Sequence, residues 1–200
     1  MYTSSMYTFN LQTLTPKVGS TSFIAIDGRG GSGKSTLAEV LSKQLHAEII
    51  HVDDFMGWDT FDMWHPSLIQ EVILPILNGA ELLSYKRSSW GDDHHPEPIE
   101  NQFVTKTMIL EGVGSLRTEL REYISYGIFV ATPKEVCLER GIYRDTQTGK
   151  SVEEITEIWK KWQEAEDTYF KNDNPQTYAD SVIDGTKPFH EEFLSRQRAL

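Results

Sequence analysis

The stretch Gly28-Arg29-Gly30-Gly31-Ser32-Gly33-Lys34-Ser35 fits the pattern G-x-x-x-x-G-K-[ST] without a mismatch. These residue types at this spacing bind phosphate. Glycines let the backbone curl so that successive N–H groups face phosphate oxygens, and a helix starting near Lys34 adds its positive end. Lys34 reaches β- and γ-phosphates, and the Ser35 hydroxyl is placed to ligate Mg²⁺. Predicted ligand contacts therefore fall on Gly28, Gly30, Gly31, Ser32, Gly33, Lys34, Ser35 and Thr36. The loop implies a nucleoside triphosphate but not what is done with it, because switches, motors and kinases share it.

The elements that position this loop follow from hydrophobic spacing. The β-rich run Phe23-Ile24-Ala25-Ile26 leads into the loop, and Leu37, Val40, Leu41 and Leu45 recur on one helical face after it. Further strand-like runs cover 47–52, 107–110, 127–130 and 181–183. Helical spacing covers 67–78, a short stretch at 116–123, a segment from Pro133 towards Arg144, the long stretch with Val152, Ile155, Trp159, Trp162 and Tyr169, and the C-terminal 189–198. Pro66 suits a first helical turn and Gly79 a C-cap, while Pro75 should kink the helix between them. Residues 82–103 show no regular pattern. Strands alternating with helices predict an α/β fold with a parallel sheet, in which ligands gather at the carboxyl ends of the strands. Gly28, Asp53, Asp54 and Glu111 all lie just past such ends and should converge.

Bulk properties narrow the classes. Thirty acidic residues against 19 Lys and Arg give a formal net charge of −11, which argues against a nucleic-acid polymer as partner. A lone cysteine, Cys137, excludes an internal disulfide and reads as a buried thiol. The N-terminus lacks a basic segment followed by an apolar core, and no run is long enough to span a membrane, so a cytoplasmic setting is expected. No N-K-x-D base-reading motif of a GTPase and no L-S-G-G-Q stretch of a transporter ATPase is present, which leaves a compact kinase.

Ile26-Asp27-Gly28 with the loop, Val52-Asp53-Asp54-Phe55, Leu110-Glu111-Gly112-Val113, and Leu138-Glu139-Arg140 through Arg144-Asp145 follow one another in an order that resembles the uridine kinase branch of the P-loop kinases. The resemblance runs over roughly residues 20–185. It implies a three-layer P-loop sandwich with a five-stranded parallel sheet in the order 2-3-1-4-5, helices on both faces and a small lid. It also implies one kinase domain over 19–200 after an extension over 1–18 expected to be partly disordered, with the lid near 140–152 and an acceptor-side insertion over 56–103.

By the same resemblance, Asp53 is the base or orienter of the acceptor hydroxyl, and Ser35 with Glu111 holds Mg²⁺. Arg140 and Arg144 approach the transferring phosphoryl group, giving Lys34, Asp53, Arg140 and Arg144 as the catalytic set. ATP and Mg²⁺ are the implied cofactors, and uridine or cytidine the leading acceptor. Met56 stands where the family carries a tyrosine, and 85–90 matches its acceptor region only loosely. The acceptor candidates are therefore Asp54, Tyr85, Arg87 and Trp90, with Trp58 and Trp64 as further walls and Lys187 as a candidate adenine contact. Trp159 and Trp162 read as core, and Asp92-Asp93-His94-His95 as a solvated loop. A different small acceptor, or an inactive nucleotide-binding regulatory protein, stays open, as does homo-oligomerisation.

Overall fold

The computed structural model describes residues 14–58, 61–88, 97–146 and 151–189. Seven strands and six α-helices follow the alternation of the sequence: β1 (Ser22–Gly28), α1 (Lys34–Leu45), β2 (Glu48–His51), α2 (His65–Leu68), α3 (Leu74–Leu77), β3 (Leu82–Tyr85), β4 (Ile99–Phe103), β5 (Thr107–Glu111), β6 (Ile124–Ala131), α4 (Lys134–Asp145), α5 (Val152–Asp173), α6 (Pro175–Tyr178) and β7 (Ser181–Asp184). Five strands form one parallel sheet in the order β2-β5-β1-β6-β7. The expected order 2-3-1-4-5 numbered these five strands alone. A separate antiparallel pair, β3-β4, lies in the chain between β2 and β5 and shifts the labels without changing the neighbours.

Period-2 alternation in β1 splits the core in two. Phe23 and Ala25 face a cluster with Ile50, Met108, Leu110, Trp64, Leu68, Val72 and Ile73. Ile24 and Ile26 face the other side, against Leu37, Ala38 and Leu41 of α1 with Ile109, Ile128, Val130 and Ile183. Successive side chains of a strand point to opposite faces, so a strand this apolar must be covered on both. Shortening any of these fully buried aliphatic side chains to alanine costs about 2–5 kcal/mol.

Three expectations about the elements change. The helix over 65–77 does not simply bend at Pro75. Its middle turn, Ile69–Ile73, is a π-helix lying immediately before α3. The wider turn relieves the contact between a proline ring and the preceding carbonyls and tolerates its missing N–H. Pro66 does sit in the first turn, and Gly79, at φ 88°, ends the helix, with Ala80 N–H bonded to Pro75 O. The segment 116–123 shortens to a 3₁₀ turn, Thr118–Leu120. The pattern-free stretch 82–103 contains the hairpin strands β3 and β4, where Leu83 and Tyr85 point inward and Leu82 and Ser84 outward. Residues 1–13, the histidine pair at 94–95 and the C-terminal helix expected beyond Phe189 lie outside the described residues.

α5 starts on a capping box, with Glu154 N–H bonded to Ser151 Oγ and Ser151 N–H to Glu154 Oε2. It ends at Asn174, in the left-handed region at φ 50°, with Pro175 beginning α6. Its 22 residues carry it past the phosphate loop. Among the described residues no helix is long and apolar enough to cross a membrane.

Candidate active site

Parallel register decides which polar groups meet. Ile26 of β1 lies level with Glu111 of β5, and Glu111 level with His51 of β2. The chain therefore leaves the sheet at one level three times over: into the glycine-rich loop after β1, into Val52–Phe55 after β2, and into Gly112 after β5. Ser35 Oγ, in the first turn of α1, lies 3.1 Å from Glu111 Oε1, and His51 Nδ1 lies 2.7 Å from Glu111 Oε2.

The loop itself is held from within. Ser32 N–H bonds to Arg29 O at 3.0 Å, and Lys34 Nζ donates to the same carbonyl at 2.8 Å. Gly31 has φ 79°, and a Cβ there would collide with the Cys137 carbonyl, so only glycine fits. Not all eight predicted contacts turn out alike. Gly28 N–H is taken by Asp27 Oδ1 at 2.6 Å and Gly30 N–H by Glu166 Oε1 at 2.7 Å. With Ser32 N–H also engaged, these three amides satisfy the protein rather than a ligand, as buried amides in a tight loop must. The phosphate reading then rests on Gly31, Gly33 and the first turn of α1, Lys34, Ser35 and Thr36, whose N–H groups have no partner in their own helix. The Ser32 hydroxyl is buried and has no partner among the described residues.

A cleft of about 300 Å³ opens over this loop. Its polar lining is Lys34, Ser35, Asp53, Glu111, Arg144 and Asp145, and its apolar walls are Trp58, Val113, Ile158, Trp159 and Trp162. Lys34, Ser35, Asp53, Glu111 and Arg144 are thus brought together as predicted. Arg140 is not. Its guanidinium lies on the carbonyls of Gly185, at 2.9 Å, and of Gly31 and Ser32, tying the phosphate loop to the turn after β7. It precedes Arg144 by about one helical turn, which points the two along different reaches of α4. Arg144 pairs with Asp145 at 2.7 Å and lies over Trp159, whose Nε1 donates to Asp145.

Charges in the cleft are coupled. Desolvation by the surrounding protein pushes the Asp53 carboxyl up to about 6, with Glu111 and Asp54 adding to the rise and Lys34 and His51 opposing it. Asp53 stays open to the cleft mouth, so water tempers this effect. Burial works against ionised Glu111 as well, but His51, Lys34 and Ser35 together outweigh it and hold Glu111 below the ordinary carboxylate range. The Glu111 hydrogen bond in turn raises His51. No cluster of three metal-ligating side chains occurs among the described residues. A hydroxyl beside one carboxylate nonetheless suits Mg²⁺, which takes one or two carboxylates and completes its shell with water and phosphate oxygens.

The expected acceptor residues Asp54, Tyr85 and Arg87 are not among the residues that line this cleft; Tyr85 stacks on Phe55 with ring centroids 4.9 Å apart. Its hydroxyl lies 3.3 Å from Asp54 Oδ2 and 3.4 Å from Gln102 Oε1. Burial raises Asp54, against His51, Arg87 and Tyr85. Arg87 Nε donates to Glu97 O at 2.7 Å. Trp90 lies outside the described residues. Of the two further tryptophans, Trp58 lines the cleft, whereas Trp64 is 2% exposed and belongs to the core. Met56, in the place of the family's tyrosine, is also fully buried. Trp159 and Trp162, expected as core, form cleft wall as well, because the face of α5 that carries them packs on the phosphate loop. Lys187 pairs with Asp184 at 3.0 Å. Cys137 is buried, and desolvation pushes its thiol up to about 11, consistent with an inert side chain.

Sequence reading missed four residues. Asp27, fully buried, accepts from the N–H groups of Gly28, Gly114 and Leu116 and from the Tyr169 hydroxyl at 2.6 Å, and so joins the phosphate loop to the turn after Glu111. The others are His51, Gln102 and Glu166. An aspartate ending an apolar strand was visible at 27, and a histidine interrupting β2 at 51. Nothing local marked the other two.

Comparison with known proteins fits this arrangement. The family model described as "Phosphoribulokinase / Uridine kinase family" matches residues 85–187, just over half of the chain. The chain belongs to that family. The uridine kinase of Pasteurella multocida (strain Pm70) is 28% identical over 182 residues that cover 80% of this chain and 84% of that protein. The uridine kinase of Proteus mirabilis (strain HI4320) is 26% identical over 189 residues, covering 80% and 85%. The structure of a possible uridine kinase from Bacillus stearothermophilus superposes with a TM-score of 0.60 at 20% identity, over 84% of this chain and 90% of that one, and so shares the fold. Within the phosphoribulokinase/uridine kinase family this chain keeps a nucleotide-binding loop and a carboxylate-lined cleft beside it.

Proposed function

We propose that the protein is an ATP-dependent small-molecule kinase that transfers the γ-phosphate of ATP to a hydroxyl of a nucleoside-like acceptor, with uridine and cytidine the leading candidates. The observation that carries this reading is the convergence of Lys34, the Ser35–Glu111 pair and Asp53 on one open cleft. Membership of a kinase family supports it, as does the identity of the relatives as uridine kinases.

The chemistry asks little covalent work of the protein. Asp53 orients the acceptor hydroxyl and takes its proton as the oxygen attacks the γ-phosphorus and the bond to the ADP oxygen breaks. Ser35 and Glu111 would hold Mg²⁺, which neutralises phosphate charge when bound. Lys34, 2.8 Å from Arg29 O, is within reach of the loop's mouth and stabilises the charge that shifts toward the leaving phosphates. Arg144, on the lid side of the cleft, does the same for the transferring group. Trp58 and Trp162, packed edge to face, give the cleft an apolar aromatic wall suited to an aromatic base.

An inactive regulatory protein would call for a cleft filled by its own side chains. Tyr85, the described candidate for such a plug, stacks on Phe55 instead. A coupled ADP-release assay over nucleosides, nucleotides, sugars and vitamin precursors tests the proposal. Turnover above the ATPase background with uridine or cytidine is the expected result. A panel on which no acceptor raises ADP release would sink it.

A further inference from the structure

Glu166 lies on α5, 136 residues beyond Gly30, and is fully buried. Its Oε1 accepts the Gly30 N–H at 2.7 Å, and its Oε2 pairs with Arg29 Nη1 at 3.3 Å. Arg29 is held a second time by Asp167, at 2.5 Å, which also pairs with Lys134. The approach is close on every side. A Cβ placed on Gly30 would stand 3.0 Å from Trp159, 3.1 Å from Trp162 and 3.2 Å from Glu166 Oε1. A buried carboxylate is costly unless it is hydrogen-bonded and its charge is met; here burial raises the Glu166 carboxyl above its ordinary range, and Gly30 N–H, Lys34 and Arg29 offset that only in part.

The placement has a consequence for the loop. One limb of the phosphate loop runs into α1 and is fixed by that helix. The other limb, residues 29 and 30, is fixed chiefly by its hydrogen bonds to α5, together with the bonds that Ser32 N–H and Lys34 Nζ make to Arg29 O. A carboxylate already occupying the Gly30 amide leaves to phosphate oxygens the N–H groups beyond it, at the start of α1.

We infer that Glu166 is a positioning residue of the donor site: through its hydrogen bond to Gly30 N–H it fixes the first limb of the phosphate loop, and so sets the protein's affinity for the triphosphate. The inference rests on the kinase reading above. It assigns Glu166 no contact with substrate. Its content is that the acceptor oxygen on Gly30 N–H matters, beyond the ion pairs of the surrounding network.

Calorimetric titration with ATP and Mg²⁺ separates these contributions, using the full chain and its variants E166Q, E166M and D167N. E166Q keeps an oxygen that can accept the Gly30 N–H, whereas E166M fills the space and removes the acceptor. D167N weakens the ion pairs of Arg29 and Lys134 and leaves Gly30 untouched. A buried donor left without a partner costs on the order of tenfold in an equilibrium that depends on it. The expected result is an ATP Kd raised about tenfold or more in E166M, and changed by less than about threefold in E166Q and D167N. The thermal midpoint should fall in both E166M and D167N, so that a merely structural role would lower Tm without separating their affinities. Equal Kd values for wild type and E166M, or an E166Q as weak as E166M, would overturn the assignment while leaving the kinase reading intact. A wild-type protein that binds no ATP would overturn both.

Discussion

The donor and acceptor sides of the cleft are anchored by different kinds of structure. On the donor side, β1, β2 and β5 meet in fixed parallel register, and the turns that follow are tied by buried Asp27, by Glu166 and by the Ser35–Glu111–His51 chain. On the proposed acceptor side, the hairpin β3-β4 pairs over only a few residues, with a register shift between Leu83 and Tyr85; Gln102 Nε2 ties it to β2 by donating to Ile49 O at 2.7 Å, and the Tyr85 hydroxyl meets Asp54 through a long hydrogen bond. The difference teaches where a fold of this kind can vary. A central sheet cannot slip by one residue without turning its core faces inside out, so what it carries is held in place. The outward side chains of a short hairpin, here Leu82 and Ser84, can change with little effect on the rest, whereas Leu83 and Tyr85 are held in the core.

Breaking the donor side should therefore abolish function, while breaking the acceptor side should only retune it. The largest effect is expected for K34A, which removes the cation facing the phosphates. Its kcat should fall by about 10²–10³ with little change in the acceptor KM, as steady-state kinetics with both substrates varied would reveal.

Next comes pH. Asp53 must be ionised to take a proton, and its carboxyl is raised to about 6. The rate should fall as pH drops through about 6, rather than through the ordinary carboxylate range near 4, with a limiting slope of about tenfold per unit. The sign for stability is opposite. Desolvation by its neighbours disfavours the charged form, to a degree limited by water at the open cleft mouth, so the folded state loses a little stability as pH rises from about 4 to about 6, and D53N should have a slightly higher Tm than wild type at neutral pH. A D53N midpoint at or below that of wild type would contradict this.

A smaller effect belongs to Y85F. Deleting the hydroxyl and its two long contacts, to Asp54 and Gln102, should raise the acceptor KM by about two- to tenfold and leave the ATP KM as it was. Equal changes in both constants would mean that the two sides are not separable. Smallest of all is D184N. Thr186 and Lys187 hold the half-buried Asp184 carboxyl down to about 2. Its contribution is present above the ordinary carboxylate pKa and is lost as pH falls from about 4 to about 2. D184N should therefore be slightly less stable than wild type at neutral pH, with the difference vanishing as pH falls from about 4 to about 2, as acid denaturation curves of the two would show.

The two sides also differed in how much of them the sequence disclosed. The phosphate loop is contiguous, and its glycines are demanded by local backbone geometry, so it could be read directly. Asp53 and Glu111 were legible one step further on, because they end apolar strands and a parallel sheet brings strand ends together. The Gly30–Glu166 and Asp27–Tyr169 bonds join residues more than a hundred positions apart and leave no local pattern. The hairpin escaped notice because β4, Ile99–Phe103, carries Glu100, Asn101 and Gln102 at its centre and resembles a loop in composition. Tryptophan spacing misled in a related way. Helical periodicity correctly put Trp159 and Trp162 on the packed face of α5, but it could not say that part of what this face packs against is the phosphate loop. Arg140 and Arg144 were both expected at the phosphoryl group, with more weight on Arg144, and of the two Arg144 reaches the cleft.

The central claim is that Asp53 serves transfer to an acceptor hydroxyl while the phosphate loop binds the donor without its help. Incubating wild type and D53N with γ-labelled ATP, Mg²⁺ and uridine or cytidine, and measuring labelled product beside the ATP Kd of each protein, tests both halves at once. The account predicts labelled nucleoside monophosphate from wild type, product reduced by about 10²–10⁴ in D53N, and an ATP Kd that is the same in both within about threefold. Undiminished transfer by D53N, or tight ATP binding by a wild-type protein that labels neither nucleoside nor any other acceptor of the panel, would contradict it.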